Sequence, residues 1–394
     1  MMIEPTPEIL IWARETARLS VVEAASKAGI RGIRDVSAPE RLAAFESGEE
    51  RPTMVMLESL AKTYRRPLVT FFLAAPPVQG DRGTDFRHVP AEMIDESQDA
   101  LLDTLVRTIR ARQSLLHDVL ADEESEALGF IDSRTADDGV DALVDDLRAH
   151  LGVDLDEFRG AQTPTAAFAL LRSAAEALGV FVLLASDLGS HHSAITVGTF
   201  RGLSIADRVA PLIVINDLDA RAAWSFTLLH ELTHLWLGQT GFGGTDVDSQ
   251  IEQFCSDVAS EFLLANEELA DAPVPNGDDE LRDFITHYAS VRNLSRSMVA
   301  YRLYRVGRLD LLDWRTMADQ FLSEWEGSRE NERQRRRASG TGPSYYVIRR
   351  HRLGNHMLNV VGRALADRSL TSTEAGRVLG VDPKKVGRLL EEVH

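Results

Sequence analysis

Apolar residues recur every three or four positions along most of this 394-residue chain, which is the period of an amphipathic helix. Two shorter segments, 180–185 and 211–215, are apolar throughout and each predicts a strand. The first is bounded by Gly179 and Ser186, which indicates a buried strand. The segments 194–200 and 203–205 predict a hairpin that turns at Arg201 and Gly202. The pattern therefore predicts a mostly helical α+β fold with a small sheet.

The segment 226–238 follows the last predicted strand and reads Phe-Thr-Leu-Leu-His-Glu-Leu-Thr-His-Leu-Trp-Leu-Gly. Its apolar spacing predicts a core helix that ends near Gly238. His230 and His234 lie four residues apart, on one face of that helix, so both imidazoles can bind a single metal ion. Glu231 is placed to accept a proton from an attacking water molecule. The alternative is a core helix that carries two histidines by chance.

A catalytic zinc site needs a third protein ligand. The segment 249–264 predicts a second helix with one apolar side, and it carries two candidate ligands, Glu252 and Glu261. The spacing of these residues leaves both candidates open.

Together, the two segments resemble the ImmA/IrrE metallopeptidases. The usual pattern of that family is Phe-Thr-Leu-x-His-Glu-x-x-His, followed by Glu-x-x-Cys/Ala-Asn-x-x-Ala. The resemblance implies a zincin-like peptidase domain with a small sheet and a gluzincin-like Zn²⁺ site formed by His230, His234 and Glu252. Glu231 would be the catalytic general base.

The same resemblance assigns roles to the remaining polar residues of the second helix. Glu261 would face solvent on the far side of the helix. The Asn that is usual in the family, and that orients the metal ligands, falls at Ser256 in this chain. Asp257 is the alternative residue for that orienting role.

Residues 1–75 predict four or five short helices. One begins at Ser20, which forms a capping box with Glu23, and ends at Gly29. The segments 19–25, 45–53 and 57–64 resemble the XRE-type helix-turn-helix domain of phage repressors. Basic residues around the recognition position are offset by acidic ones, and DNA affinity depends largely on positive charge. The segment is therefore either a DNA-binding domain or a module for protein contact or dimerisation.

The end of the chain differs in charge from the rest. From Arg329 onward there are 14 Arg and Lys against 7 Asp and Glu, whereas the net charge of the whole chain is −18. The polar segment 328–343 ends in turn-forming residues and predicts a linker or loop. The segment 370–390 has helix-turn-helix spacing, with Gly380 at the bend. This basic region binds either DNA or the acidic remainder of the chain.

We therefore expect four segments. These are an XRE-like helix-turn-helix domain at 1–75, a helical linker region at 76–164, an ImmA/IrrE-like zinc metallopeptidase domain at 165–327 and a basic helical C-terminal region at 328–394. The single cysteine excludes an intrachain disulfide. No apolar run is long enough to span a bilayer and the N-terminus shows no signal-peptide pattern, so we expect a cytoplasmic protein without membrane association.

The resemblance implies a regulatory endopeptidase that cleaves a partner protein, an XRE-type transcriptional repressor in the first place. Such cleavage would control stress-response, mobile-element or toxin–antitoxin genes. The alternative is a DNA-binding repressor or antitoxin whose peptidase fold mainly binds a partner, such as a cognate toxin. The expected partners are thus a protein substrate or toxin, DNA, and a second copy of the chain in a homodimer.

Overall fold

The computed structural model describes residues 5–33, 36–66, 68–73, 96–240, 246–270, 272–275, 277–339 and 343–391. The described residues form two compact units, one made of residues 5–73 and 96–107 and the other of residues from 108 onward. The chain is mostly helical with a small sheet, as the apolar pattern predicts. Among the described helices, none combines the length and the apolar character that a membrane-spanning helix requires.

The first unit is a set of short helices around one apolar core. Its elements are α1 (Pro7–Thr16), α2 (Val21–Lys27), α3 (Ala38–Ser47), α4 (Met54–Thr63), a 3₁₀ helix (Leu68–Phe72) and the beginning of α5 (Glu96–Asp122). The capping box of Ser20 and Glu23 at the start of α2 is confirmed, and Ser37 and Glu40 form a second one at α3. The core side chains are large and fully buried: Ile9, Leu10, Leu42, Phe45, Leu60 and Phe71.

The second unit contains a three-stranded sheet in the order β1-β3-β2, with strands β1 (Phe181–Leu184), β2 (Gly202–Ile205) and β3 (Leu212–Ile215). Strand β1 is parallel to β3, and β2 is antiparallel to it. Every strand residue is buried. The continuous apolar runs that predict β1 and β3 therefore reflect a sheet covered on both faces.

The predicted hairpin between 194–200 and 203–205 is wrong, because β2 pairs with β3 and residues 194–200 form no strand. The buried side chain of Asn216, directly after β3, explains the difference. Its amide donates hydrogen bonds to the carbonyl oxygens of Ile195 (3.1 Å) and Phe200 (2.9 Å). These carbonyl groups are thereby satisfied without a strand partner, and the segment stays a loop.

Helices surround this sheet. Before it lie α6 (Val140–Leu151), α7 (Leu155–Gly160) and α8 (Pro164–Ala177), and after it α9 (Trp224–Trp236), α10 (Asp246–Leu263), α11 (Asn266–Ala270), α12 (Asp278–Ser290) and α13 (Arg296–Arg305). Single 3₁₀ turns occur at Ala136–Asp138, His191–Ser193 and Arg221–Ala223. One core joins a face of the sheet to α8, α9, α10, α12 and α13. Helix α9 lies at its centre, since nearly all of its side chains are buried.

The remaining helices are α14 (Leu311–Ser339), α15 (Tyr345–Leu353), α16 (Asn355–Ala366), α17 (Ser372–Leu379) and α18 (Pro383–Leu390). The prediction of a linker or loop from residue 328 is wrong as far as Ser339, because α14 continues to that residue. The segment 328–339 is rich in Arg, Glu and Gln, which have high helix propensity whatever their charge. Helices α15 and α16 pack against β1, where the rings of His356 and Phe181 lie 4.4 Å apart.

Candidate metal centre

Helix α9 carries the His-Glu-x-x-His residues in the centre of the core. His230, Glu231 and His234 are only 2%, 3% and 3% exposed. The helix ends where the sequence predicts, since Gly238 adopts a left-handed conformation with φ of +66° that terminates the hydrogen-bonded turns. Burial of three ionisable side chains is costly unless they are paired or bind a cation.

Helix α10 packs against α9 and brings Glu252 to the two imidazoles. The Nε2 atoms of His230 and His234 lie 3.2 Å apart. The Glu252 carboxylate approaches both rings, with Oε2 3.0 Å from Nε2 of His230 and Oε1 3.2 Å from Nε2 of His234. Three ligand atoms therefore converge on one point, and the structure identifies this group as able to hold a metal ion.

The donor set fits zinc. Two imidazole nitrogens and one carboxylate are a ligand combination of catalytic zinc sites, which leave a fourth position open. Ligand atoms around a tetrahedral ion with bonds of 2.0–2.1 Å lie roughly 3.3 Å from one another. The observed separations of 3.0–3.2 Å agree with this spacing, so the three side chains fit the geometry of zinc ligands.

The electrostatics of the group favour a cation. Burial by itself lowers the pKa of His234, but its contacts with Cys255, Glu252 and Glu231 outweigh burial and raise the pKa well above its ordinary value. Burial by itself raises the pKa of Glu252, but hydrogen bonds to both histidines reverse this effect and lower it strongly. A site that stabilises a proton on an imidazole and a charge on a carboxylate also stabilises a metal cation between them.

Two further residues of α10 contact the other ring nitrogens of the histidines. Ser256 Oγ lies 3.3 Å from Nδ1 of His230, and Cys255 Sγ lies 3.7 Å from Nδ1 of His234. Such contacts hold a ring in the orientation that directs Nε2 toward a metal. Ser256 thus occupies the orienting position, although it is shorter than the Asn that is usual in the resembling family. Cys255, which is fully buried, is both a core residue and a neighbour of the site.

Asp257 does not take the orienting role. Its carboxylate accepts a hydrogen bond from the hydroxyl of Tyr301 (2.7 Å) and pairs with Arg305 (2.6 Å). Burial and the nearby Asp257 carboxylate raise the pKa of Tyr301 above its ordinary value, so this phenol is neutral. The hydrogen bond from Tyr301 to Asp257 therefore connects α13 to α10.

Glu261 lies away from the three ligands, and the expectation that it faces solvent is wrong. Its side chain is 9% exposed and forms an ion pair with Arg302, which is buried as well. Its other carboxylate oxygen accepts a hydrogen bond from the backbone N–H of Asn266 (3.0 Å). Glu261 therefore connects α10, α11 and α13, because a buried carboxylate is stable only when it is paired.

Gly202, the first residue of β2, lies next to the site but was not predicted from the sequence to do so. A Cβ atom at this position would lie 2.4 Å from Oε1 of Glu231 and 2.7 Å from Cγ2 of Thr227. The carboxylate of Glu231 therefore lies directly against the backbone of β2. The available signal was a glycine beside a strand pattern, which often marks a close approach of another group.

Comparison with known proteins shows that the segment containing this site matches a protein family. Residues 175–304 match the family model of peptidase family M78, described as the IrrE N-terminal-like domain. This segment runs from the end of α8 to α13 and includes the sheet and both helices of the metal centre. The match covers about a third of the chain and supports the resemblance to ImmA/IrrE proteins there. The chain thus contains a domain of metallopeptidase type. No curated protein and no solved structure matches it.

Proposed function

We propose that this domain is a zinc-dependent endopeptidase, with His230, His234 and Glu252 as the metal ligands and Glu231 as the general base. The observation that carries the proposal is the convergence of three ligand atoms within 3.2 Å in the core of the matched segment. The base is the next residue after the first ligand on α9. A buried cluster of this composition has no structural advantage over apolar packing, which favours a chemical role.

A Zn²⁺ ion held by His230, His234 and Glu252 would act as a Lewis acid that polarises a scissile carbonyl group. Glu231 accepts a proton from the attacking water molecule and delivers it to the leaving amine. The contact of Glu231 with Gly202 and Thr227 restricts its carboxylate to one place, which lowers the entropic cost of each proton transfer. Ser256 and Cys255 keep the imidazole rings in their ligand orientation.

The substrate that we propose is a flexible segment of a partner protein, an XRE-type repressor in the first place. The three α9 residues of the site are at most 3% exposed, and Glu252 is the most open ligand with 14% of its side chain exposed. A folded surface does not reach atoms that are buried to this depth, whereas an extended chain segment does. Cleavage of such a segment would release repressor-controlled stress-response, mobile-element or toxin–antitoxin genes.

The test compares Glu231→Gln with wild-type protein. The variant keeps the size of the side chain but removes its ability to accept a proton, so it should bind about one Zn²⁺ per chain and hydrolyse no peptide bond. Bound zinc is measured by elemental analysis, and cleavage by mass spectrometry of a library of proteome-derived peptides. Glu267→Gln is the matched control, since Glu267 is exposed on α11 and should retain full activity.

Two outcomes would reject the proposal. Equal cleavage by wild type and Glu231→Gln would show that another group accepts the proton. Zinc-loaded wild-type protein that cleaves no member of the library, nor a co-expressed repressor, would favour the alternative of a fold that only binds a partner, such as a toxin.

A further inference from the structure

The last three helices form a helix-turn-helix arrangement. Helices α17 (Ser372–Leu379) and α18 (Pro383–Leu390) pack together and are joined by the three residues 380–382. Gly380 turns the chain with a left-handed φ of +62°. Gly376 allows the close approach of the two helices, because a Cβ atom there would lie 2.9 Å from the carbonyl oxygen of Val381. Helix α16 packs against α17 and completes a three-helix unit.

Helix α18 has one apolar and one basic side. Val386 and Leu389 are buried against the other helices. The opposite side consists of exposed residues, among which are Lys384, Lys385 and Arg388. An α-helix with its side chains is about 10–12 Å in diameter, so it fits the major groove of B-DNA, which is about 12 Å wide.

Lys384, Lys385 and Arg388 have no carboxylate partner among the described residues, whereas Arg377 interacts electrostatically with Glu374, one turn earlier on α17. Other basic residues of the region are engaged, with Arg349 and Arg350 donating to backbone carbonyls and Arg352 and Arg363 paired with carboxylates. Within the part of the chain that the structure describes, Lys384, Lys385 and Arg388 form none of the ion pairs with acidic residues that the alternative, a contact of this basic face with the acidic remainder of the chain, would require.

Aromatic side chains of α15 hold two of these cations at the surface. Lys385 lies over the ring of Tyr345 at 4.8 Å, and Arg388 lies over the ring of Tyr346 at 4.6 Å. Cation–π contacts orient a charge without neutralising it. Among the described residues, the carboxylates at the ends of α18 are Asp382, which accepts a hydrogen bond from the backbone N–H of Lys384 as a helix cap, and Glu391.

The charge of this region runs against that of the chain. Residues 344–391 contain nine Arg and Lys and four Asp and Glu, a net charge of +5, whereas the whole chain has −18. The negative net charge of the whole chain opposes nonspecific binding to a polyanion. A local positive surface on such a chain therefore favours a polyanion that binds at that surface specifically.

The N-terminal unit offers a contrast. Helix α3 is the one that the resemblance to XRE domains would place in the groove, and Glu40 is its only exposed charged residue. Arg41 is paired with Glu50, and Glu46 with Arg14. Among the described residues of α3, no exposed cation is available to neutralise a phosphate.

We propose that the C-terminal helix-turn-helix unit binds double-stranded DNA, with α18 in the major groove and with Arg377, Lys384, Lys385 and Arg388 at phosphates or base edges. This activity is separate from peptide hydrolysis and uses no residue of the metal centre. In DNA-binding helix-turn-helix proteins the second helix likewise lies in the major groove, where its side chains contact the DNA.

The test uses the full chain and a fluorescein-labelled 30-base-pair duplex of mixed sequence, with anisotropy measured from 50 to 300 mM NaCl. The combined variant Lys384→Ala, Lys385→Ala and Arg388→Ala should lower the affinity at least tenfold at 100 mM salt. It should also reduce the slope of log affinity against log salt by about three, one for each lost phosphate contact. The melting temperature should fall by only a few degrees, because the three side chains are exposed and the two lost cation–π contacts contribute little at exposed sites.

The matched control removes the same charge from the other unit, through Lys27→Ala, Arg31→Ala and Lys62→Ala at exposed positions. It should bind the duplex within threefold of wild type. The proposal is overturned if wild type fails to bind at 50 mM salt, if the two triple variants bind alike, or if a single-stranded 30-mer binds as tightly as the duplex with the same salt dependence.

Discussion

Replacing Gly202 by Ala would insert one methyl group directly against the carboxylate that we propose as the catalytic base. The added Cβ would lie 2.4 Å from Oε1 and 2.9 Å from Cγ of Glu231, and 2.7 Å from Cγ2 of Thr227. Real Cβ atoms do not approach other atoms so closely, so either the side chain of Glu231 or the strand must move. Both Glu231 and Thr227 are buried, at 3% and 0% exposure, and have little space to yield.

Overpacking by one methyl group in a dense core costs about 1–3 kcal/mol. For a unit of this size, each kcal/mol lowers the melting temperature by roughly 2–4 °C, so we expect a decrease of roughly 2–12 °C. Displacing the carboxylate by even 1 Å should lower the rate of hydrolysis about a hundredfold. Zinc affinity should remain within about threefold of wild type, because the three atoms nearest to the new methyl group belong to Glu231 and Thr227 and not to a proposed ligand.

Ser204→Ala is the matched control on the same strand and the same face of the sheet. The hydroxyl of Ser204 is buried without a hydrogen-bond partner among the described residues, so its removal should leave stability unchanged or raise it. Differential scanning fluorimetry gives the melting temperatures, competition with a chromogenic chelator gives the zinc affinity, and a peptide cleaved by wild type gives the rates. Full activity in Gly202→Ala would refute the proposal that β2 positions Glu231.

Two further predictions concern ionisable groups in the core. Glu252→Gln should lower zinc affinity at least a hundredfold, whereas Glu261→Gln should leave zinc affinity unchanged but destabilise the fold by about 3–5 kcal/mol, since it leaves Arg302 buried without its partner. Chelator competition and urea unfolding distinguish these effects, and the reverse pattern would contradict the assignment. His356 is buried against Phe181, and burial lowers its pKa from 6.5 to about 4. Its neutral form is favoured on folding, so stability is complete above pH 6.5 and falls by up to about 3 kcal/mol as the pH drops to 4. His356→Leu should remove this part of the acid sensitivity, and parallel losses in both proteins would show that folding does not lower the pKa of His356.

Local features of the metal centre were readable from the sequence. The apolar spacing around His230 and His234 identifies a core helix, and Gly238 marks its end, because helix periodicity and capping depend on neighbouring residues only. The same holds for β1 and β3 and for the capping box at Ser20.

The choice between Glu252 and Glu261 depends on contacts across the fold. Both residues lie on α10, but only Glu252 faces α9, and Glu261 is paired with Arg302 on α13. Helical spacing alone does not say which neighbour each side of a helix meets. The resemblance to a known family suggested Glu252, and the tertiary structure placed it beside the two imidazoles.

Strand pairing and surface charge were decided only by the tertiary structure. The apolar pattern predicted residues 194–200 as the partner of β2, whereas β3 is its partner in the structure. The buried amide of Asn216 donates hydrogen bonds to carbonyl groups of residues 194–200, so this segment stays a loop. Composition showed a basic C-terminal region. It did not show that Arg377 and Lys384 are exposed, whereas Arg352 forms ion pairs with Asp187 and Asp217. An element's own periodicity is encoded locally, whereas the identity of its neighbours depends on residues far away in the chain, which are brought together only when the core is packed.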